Sequence, residues 1–140
     1  MVNENIEGLT LDVLIKKQHY TNLINKVKDI NGAISVCKEL NIDISHIIFE
    51  KSDYQSIRAF KELEIITRAL NEVWKPNWND ANEYKYYNYF YMNNGTFSCD
   101  ITHSNSSFLD VPSALWFKSC ELAEYAGKMF IELYKNYYNN

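Results

Sequence analysis

Glycine and proline are scarce in this chain, four and two in 140 residues, and no repeat or low-complexity run interrupts it. That scarcity argues against a linker-rich, collagen-like or disordered polypeptide. Cysteine is equally sparse. Cys37, Cys99 and Cys120 are odd in number, lack metal-type spacing and each fall within an apolar pattern. They read as structural thiols in a reducing, intracellular setting. No apolar run is long enough to span a bilayer, and the N-terminus has no charged segment followed by a long apolar one. A soluble, cytoplasmic protein with no membrane partner is expected. Cationic excess is absent too: a net charge of −4 disfavours duplex DNA, whose binding needs many phosphate-neutralising cations.

Signatures of catalysis are missing as well. His19, His46 and His103 sit in different segments, and none belongs to an HExxH, a phosphate loop, a GxSxG or a CxxC. Asp100 and His103 could form an acid-base couple only if a bulge after Ile101 brought them to one face of a strand. The expectation is a non-enzymatic protein with no catalytic residue, no metal site and no cofactor.

Aromatic residues, in contrast, make up 15% of the chain, eleven of them tyrosine. A domain of this length buries roughly two thirds of its unfolded surface, so one core over residues 1–140 suffices. The tyrosines concentrate between Tyr84 and Thr102, where YKYYNYFYM and TFSCDIT flank Asn94-Gly95. A two-residue turn of the primed type pairs Asn93 with Thr96, Tyr91 with Ser98, Tyr89 with Asp100 and Tyr87 with Thr102. Alternation then sorts the faces. One carries Tyr84, Tyr86, Phe90, Met92, Phe97, Cys99 and Ile101 and reads as core. The other carries Lys85, Tyr87, Tyr89, Tyr91, Ser98, Asp100 and Thr102, too aromatic for a solvated face and too polar for a core.

Around this hairpin the periodicity predicts an α+β fold: N-terminal helices, a three-stranded antiparallel meander and a C-terminal helix. Leu9 to Lys17 leans to a short helix. Asp29 or Asn31 can cap a second, with Ala33, Val36, Cys37 and Leu40 buried. Asn41 to Lys51 connects. Ser52-x-x-Gln55 reads as a capping box before Ile57, Phe60, Leu63, Ile66, Leu70 and Val73 at helical spacing. Pro76 stops that helix, leaving a loop with Trp74 and Trp78. Ser104 to Asp110 is a polar loop. VPSALWFK is the third strand, at an edge because of Pro112, with Val111, Leu115 and Phe117 against Trp116 and Lys118. Ser119 can cap the last helix, whose stripe is Leu122, Tyr125, Ala126, Met129, Phe130, Leu133 and Tyr137.

Trp116 and Lys118 thus extend the polar-aromatic face into a platform with Asp100 near its middle. Such a face can stack a planar group, at about 1–3 kcal/mol per base. The final helix could instead cover it and make the tyrosines a second core layer. Trp74 and Trp78 either lid the core or anchor a partner. Lys61, Glu64, Arg68, Asn71 and Lys75 form one polar stripe, by default solvated. Arg68 stands out because the chain has two arginines against twelve lysines, and arginine is the better fork for phosphate or carboxylate.

The strings ALNEVWKPNWND, EYKYYNYF and FKSCELAEYAGKMFIELYK resemble a family of small proteins encoded in phages and prophages of gut Bacteroidetes and low-GC Firmicutes. The resemblance is best from Ala59 to Tyr134. Members often carry a proline where Asn88 stands here. The resemblance implies a phage accessory protein acting in the host cytoplasm and transfers no catalytic residue. The reading that follows is a counter-defence binding protein, alone or as a homo-oligomer, that sequesters a nucleotide-like immune signal or blocks a host defence protein. Tyr87, Tyr89, Tyr91 and Trp116 would stack, Arg68 and Lys118 would meet negative charge, and Asp100 would accept from a base or ribose. Alternatives are a single-stranded nucleic-acid binder and a virion structural or assembly factor whose tyrosine face is an oligomer interface.

Overall fold

The computed structural model describes residues 2–104 and 112–139, with side chains described from residue 10 to 100 and from 112 to 138. The element order is α1 (Val2–Lys26), α2 (Ile30–Glu39), α3 (Gln55–Asn71), β1 (Lys85–Asn93), β2 (Thr96–Ser104), a single 3-10 turn at Ser113–Leu115, α4 (Cys120–Met129) and α5 (Ile131–Asn139). The fold is α+β, with five helices and a two-stranded antiparallel sheet among the described residues.

Local chemistry explains most boundaries. Asp29 caps α2 by accepting from the Gly32 N–H at 2.7 Å. At its other end Asn41 takes a left-handed conformation, φ 54°, and the Ile42 N–H reaches back to the Cys37 carbonyl at 2.8 Å. That is a Schellman closure with asparagine in place of glycine. Ser119 caps α4 through the Leu122 N–H. The hairpin turn has positive φ at both Asn94 and Gly95, and every expected cross-strand pair forms, Tyr89 opposite Asp100 included.

Three expectations are corrected. The capping box at Ser52 does not form: the Asp53 carboxylate takes the Glu50 N–H and Lys61 Nζ, Ser52 Oγ turns to Glu50, and α3 begins at Gln55 after an uncapped Tyr54. Among its described residues the third strand is reduced to one bridge, Tyr86 with Phe117. Pro112 and the 3-10 turn occupy the segment before it, and Asn71 of α3 takes the far edge, its amide bonding the Trp116 carbonyl at 2.7 Å and the Lys118 N–H at 3.0 Å. The final helix breaks at Phe130, φ −111° and ψ 29°. Here α4 lies against the hairpin while α5 lies along α3, stacking Tyr137 near Phe60 with centroids 5.4 Å apart, and one straight helix does not serve both. The loop expected over Ser104 to Asp110 and the position of Val111 fall on residues 105–111, outside the described ones.

The core lies between α3, the helices α4 and α5, and the inner hairpin face, with Leu63, Ile66, Leu70, Phe117, Leu122, Ala126 and Phe130 buried and Phe60, Phe90 and Phe97 packed against it. Ile57 and Val73, expected on the α3 stripe, are exposed, as is Met129 on α4. Gly127 lets α4 touch the sheet: a Cβ there would stand 2.6 Å from both Asn88 Oδ1 and Cys99 Sγ.

Candidate ligand cleft

The polar stripe of α3 is a seam between elements and not a solvated face. Lys61 bonds the Ile48 carbonyl and Asp53, and Glu64 meets His46 and Arg68, each at 3.3 Å. Asn71 is buried. Beyond it the chain reverses. Glu72 adopts φ 56° and ψ −121°, and the Trp74 N–H bonds the Asn71 carbonyl at 3.0 Å. These are the marks of a type II′ turn with glutamate at the position that ordinarily takes glycine. Such a conformation costs on the order of 1–3 kcal/mol and persists only where the surroundings enforce it. They do: both Glu72 oxygens face His19 Nε2, at 2.9 and 3.1 Å, and Oε1 accepts from Lys118 Nζ at 2.9 Å. Burial raises the carboxyl pKa, but the bonds from His19 and Lys118 outweigh it and hold Glu72 below the ordinary glutamate value.

The turn throws Trp74 to Trp78 back along α3. The loop that follows is fixed by side chains: Asn77 and Asp80 each bond the backbone N–H two residues on, Glu83 accepts from the Asn77 N–H, and Lys85 Nζ reaches the Asp80 and Glu83 carbonyls. Lys85 is 1% exposed and lies 5.4 Å from the Trp78 ring centroid. Between this loop, the C-terminal half of α3 and the Schellman turn after α2 opens a cleft of about 610 Å³. That is within the roughly 300–1,000 Å³ usual for small-molecule sites.

Arg68, Trp74 and Trp78 all line this cleft, with Asp43, Glu64, Glu72 and Lys75. Arg68 is loosely held. One Nη2 contact to Glu64 spans 3.3 Å, and its buried Nε has no hydrogen-bond partner among the described residues. A buried donor left unpaired costs about 1–3 kcal/mol, so this guanidinium gains by any acceptor it can turn toward. Asp43 is held below the usual carboxylate range by its bonds from the Ser45 hydroxyl and N–H.

The other expected site residues divide. Tyr87 and Trp116 do share a face, with ring centroids 4.4 Å apart, but that half of the face is covered: Trp78 meets Trp116 edge-on at 5.1 Å, Trp116 is fully buried and Tyr87 is 7% exposed. The covering element is the Trp78 loop, not the final helix. Trp116 is therefore a core residue and offers no stacking surface. Lys118 is engaged by Glu72. Tyr89 and Tyr91 remain exposed, at 53% and 40%, with rings 6.0 Å apart, and Asp100 opposite Tyr89 is exposed too. They lie outside the cleft lining. The His103 side chain, half of the Asp100 couple, lies outside the described residues.

Sequence reasoning missed Lys85, Glu72 and Asn71 as the parts that shape the cleft. Only Asn71 gave any signal, as a helix-terminal asparagine on the Arg68 stripe. Of the thiols read as structural, Cys37 is buried, which raises its pKa, Cys99 is half-buried and raised to about 11 by burial and then the Asp100 charge, and Cys120 is exposed. Among the described residues no group of three His, Cys, Asp or Glu could hold a metal ion, and no helix is long and apolar enough to cross a membrane. No family model, curated protein or solved structure matches this chain.

Proposed function

We propose that the protein is a non-enzymatic binding protein whose cleft takes a planar ligand bearing one anionic group, with the anion at Arg68 and the ring against Trp74. The observation that carries this is the convergence of Arg68, with its unpaired Nε, and the two tryptophans on one cleft of nucleotide size. The charge balance narrows the ligand. Asp43, Glu64 and Glu72 oppose Arg68 and Lys75 along the lining, which leaves no surplus of cations for a polyphosphate. A cyclic mononucleotide or similar phosphodiester fits better, because one phosphate can take the arginine fork while Asp43 or Glu64 accepts from an exocyclic amine or ribose hydroxyl. The resemblance to phage accessory proteins would make that ligand an immune signal of the host, sequestered and not degraded.

Calorimetric titration with cyclic mononucleotides, and with nucleoside triphosphates as the contrast, tests the reading. Binding of the former, lost in Arg68→Ala and weakened at least tenfold in Arg68→Lys, is expected. Tighter binding of triphosphates, or affinity unchanged in both variants, would overturn it.

A further inference from the structure

Helix α1 runs for 25 residues, about 37 Å at 1.5 Å per residue, yet among its described side chains only those at its end enter the core. Leu23 and Val27 are buried, Tyr20 and Ile24 half-buried, and Tyr125 Oη donates to the Ile24 and Val27 carbonyls at 3.1 and 2.6 Å. Before Tyr20 every described side chain from Thr10 to His19 is exposed. Four of these are aliphatic: Leu11, Val13, Leu14 and Ile15, each 55% exposed or more.

Their placement around the helix is informative. Leu11, Leu14 and Ile15 lie together by i, i+3, i+4 spacing. Val13, two turns before Tyr20, lies on the opposite side, in line with the face that further along packs into the core. A helix apolar on both sides is the composition of a buried element, not of a solvated one. Alone in water, a projecting stretch of this length is marginally stable, so burial by a partner is what would hold it.

Charge identifies the partner. Along α1 the acidic residues come first, Glu4, Glu7 and Asp12, and the basic ones follow, Lys16 and Lys17 and then His19. That order is complementary to itself when two copies run antiparallel, and repulsive when they run parallel. We infer that the projecting part of α1 pairs antiparallel with α1 of a second copy of this chain, about a two-fold axis near Leu14 and Ile15. The pairing buries Leu11, Leu14 and Ile15 and lays the acidic half of each helix along the basic half of the other. An isologous contact of this kind closes on itself and stops at a dimer.

Light scattering coupled to size-exclusion chromatography of the full chain, at submillimolar concentration and low salt, should give twice the chain mass. Leu14→Glu with Ile15→Glu should give the monomer mass with cooperative unfolding retained, since neither side chain contributes to the core and only the stabilisation by dimerisation is lost. Asp12→Lys alone and Lys16→Glu with Lys17→Glu should each weaken self-association, and an equimolar mixture of the two should recover the dimer mass. A monomeric parent protein would overturn the inference. So would a dimer unaffected by the double glutamate variant, or weakened charge variants that fail to associate when mixed.

Discussion

Trp116 and Tyr89 occupy one face of the same sheet region, so replacing each with alanine asks how that face is built. Trp116 is fully buried, with Tyr87 and Trp78 rings 4.4 and 5.1 Å from its own. Truncation leaves a cavity between the hairpin and the tryptophan loop, and large buried aromatics lose about 3–5 kcal/mol on such a change. The Asn71 bond to the Trp116 carbonyl survives, because it involves backbone. Tyr89 is 53% exposed and its one described ring contact is Tyr91 at 6.0 Å. An exposed aromatic pair is worth at most about 1.5 kcal/mol. Trp116→Ala should therefore lose roughly 2–4 kcal/mol more than Tyr89→Ala, a large share of the about 5–15 kcal/mol that holds a domain together. Urea melts followed by far-ultraviolet circular dichroism read the difference without relying on tryptophan emission. Trp116→Phe provides a graded variant, expected between parent and alanine. Equal losses for Trp116→Ala and Tyr89→Ala would refute the reasoning, since they would mean that the tryptophan loop does not close over the inner half of the face.

Gly127→Ala should destabilise the protein by about 1–2 kcal/mol despite the better helix propensity of alanine, because the new methyl meets Asn88 Oδ1 and Cys99 Sγ at 2.6 Å; a higher midpoint in the same urea melts would show that α4 is free to withdraw from the hairpin. Glu72 predicts a pH dependence. Its folded pKa lies below the ordinary value of 4.5, so its contribution is fully present above that pH and is lost as the pH falls through the lower folded value. Glu72→Gln should flatten the fall in stability below pH 4.5, and an acid slope identical to that of the parent would contradict the assignment.

The parts of the fold legible in the sequence are those set by neighbours in the chain. Asn94-Gly95 fixes a two-residue loop, the loop fixes the register, and the register sorts nine residues of each strand without further information. Asp29 and Ser119 work the same way, as caps that satisfy N–H groups three residues on. Ser52 carries an equally good local signal and fails, because Asp53 is taken by Lys61, eight residues ahead. VPSALWFK alternates as a strand should, yet among its described residues only Phe117 pairs. Pro112 and the 3-10 turn take up the residues before Trp116, and the Asn71 amide, 45 residues before Trp116, closes the far edge of what remains.

The candidate site was legible as residues and not as a place. Arg68 is conspicuous by the choice of arginine and the two tryptophans by their density, but nothing in their spacing says that they share a cleft while Trp116 does not. Their meeting depends on the reversal at Glu72. A glycine there would have signalled a type II′ turn; a glutamate signals helix continuation, and what accompanies the ψ of −121° is the convergence of His19 and Lys118, from segments 53 and 46 residues away, on its carboxylate. Local strain of about 1–3 kcal/mol is thus offset by long-range ion pairing. The face assignment fails for a related reason. A loop without periodicity, held by Asx turns and by a lysine that alternation places on the polar side, folds down over half the tyrosine surface and buries that lysine to 1% exposure. Alternation states which residues share a face. What covers the face is decided by a segment whose own pattern carries no such signal.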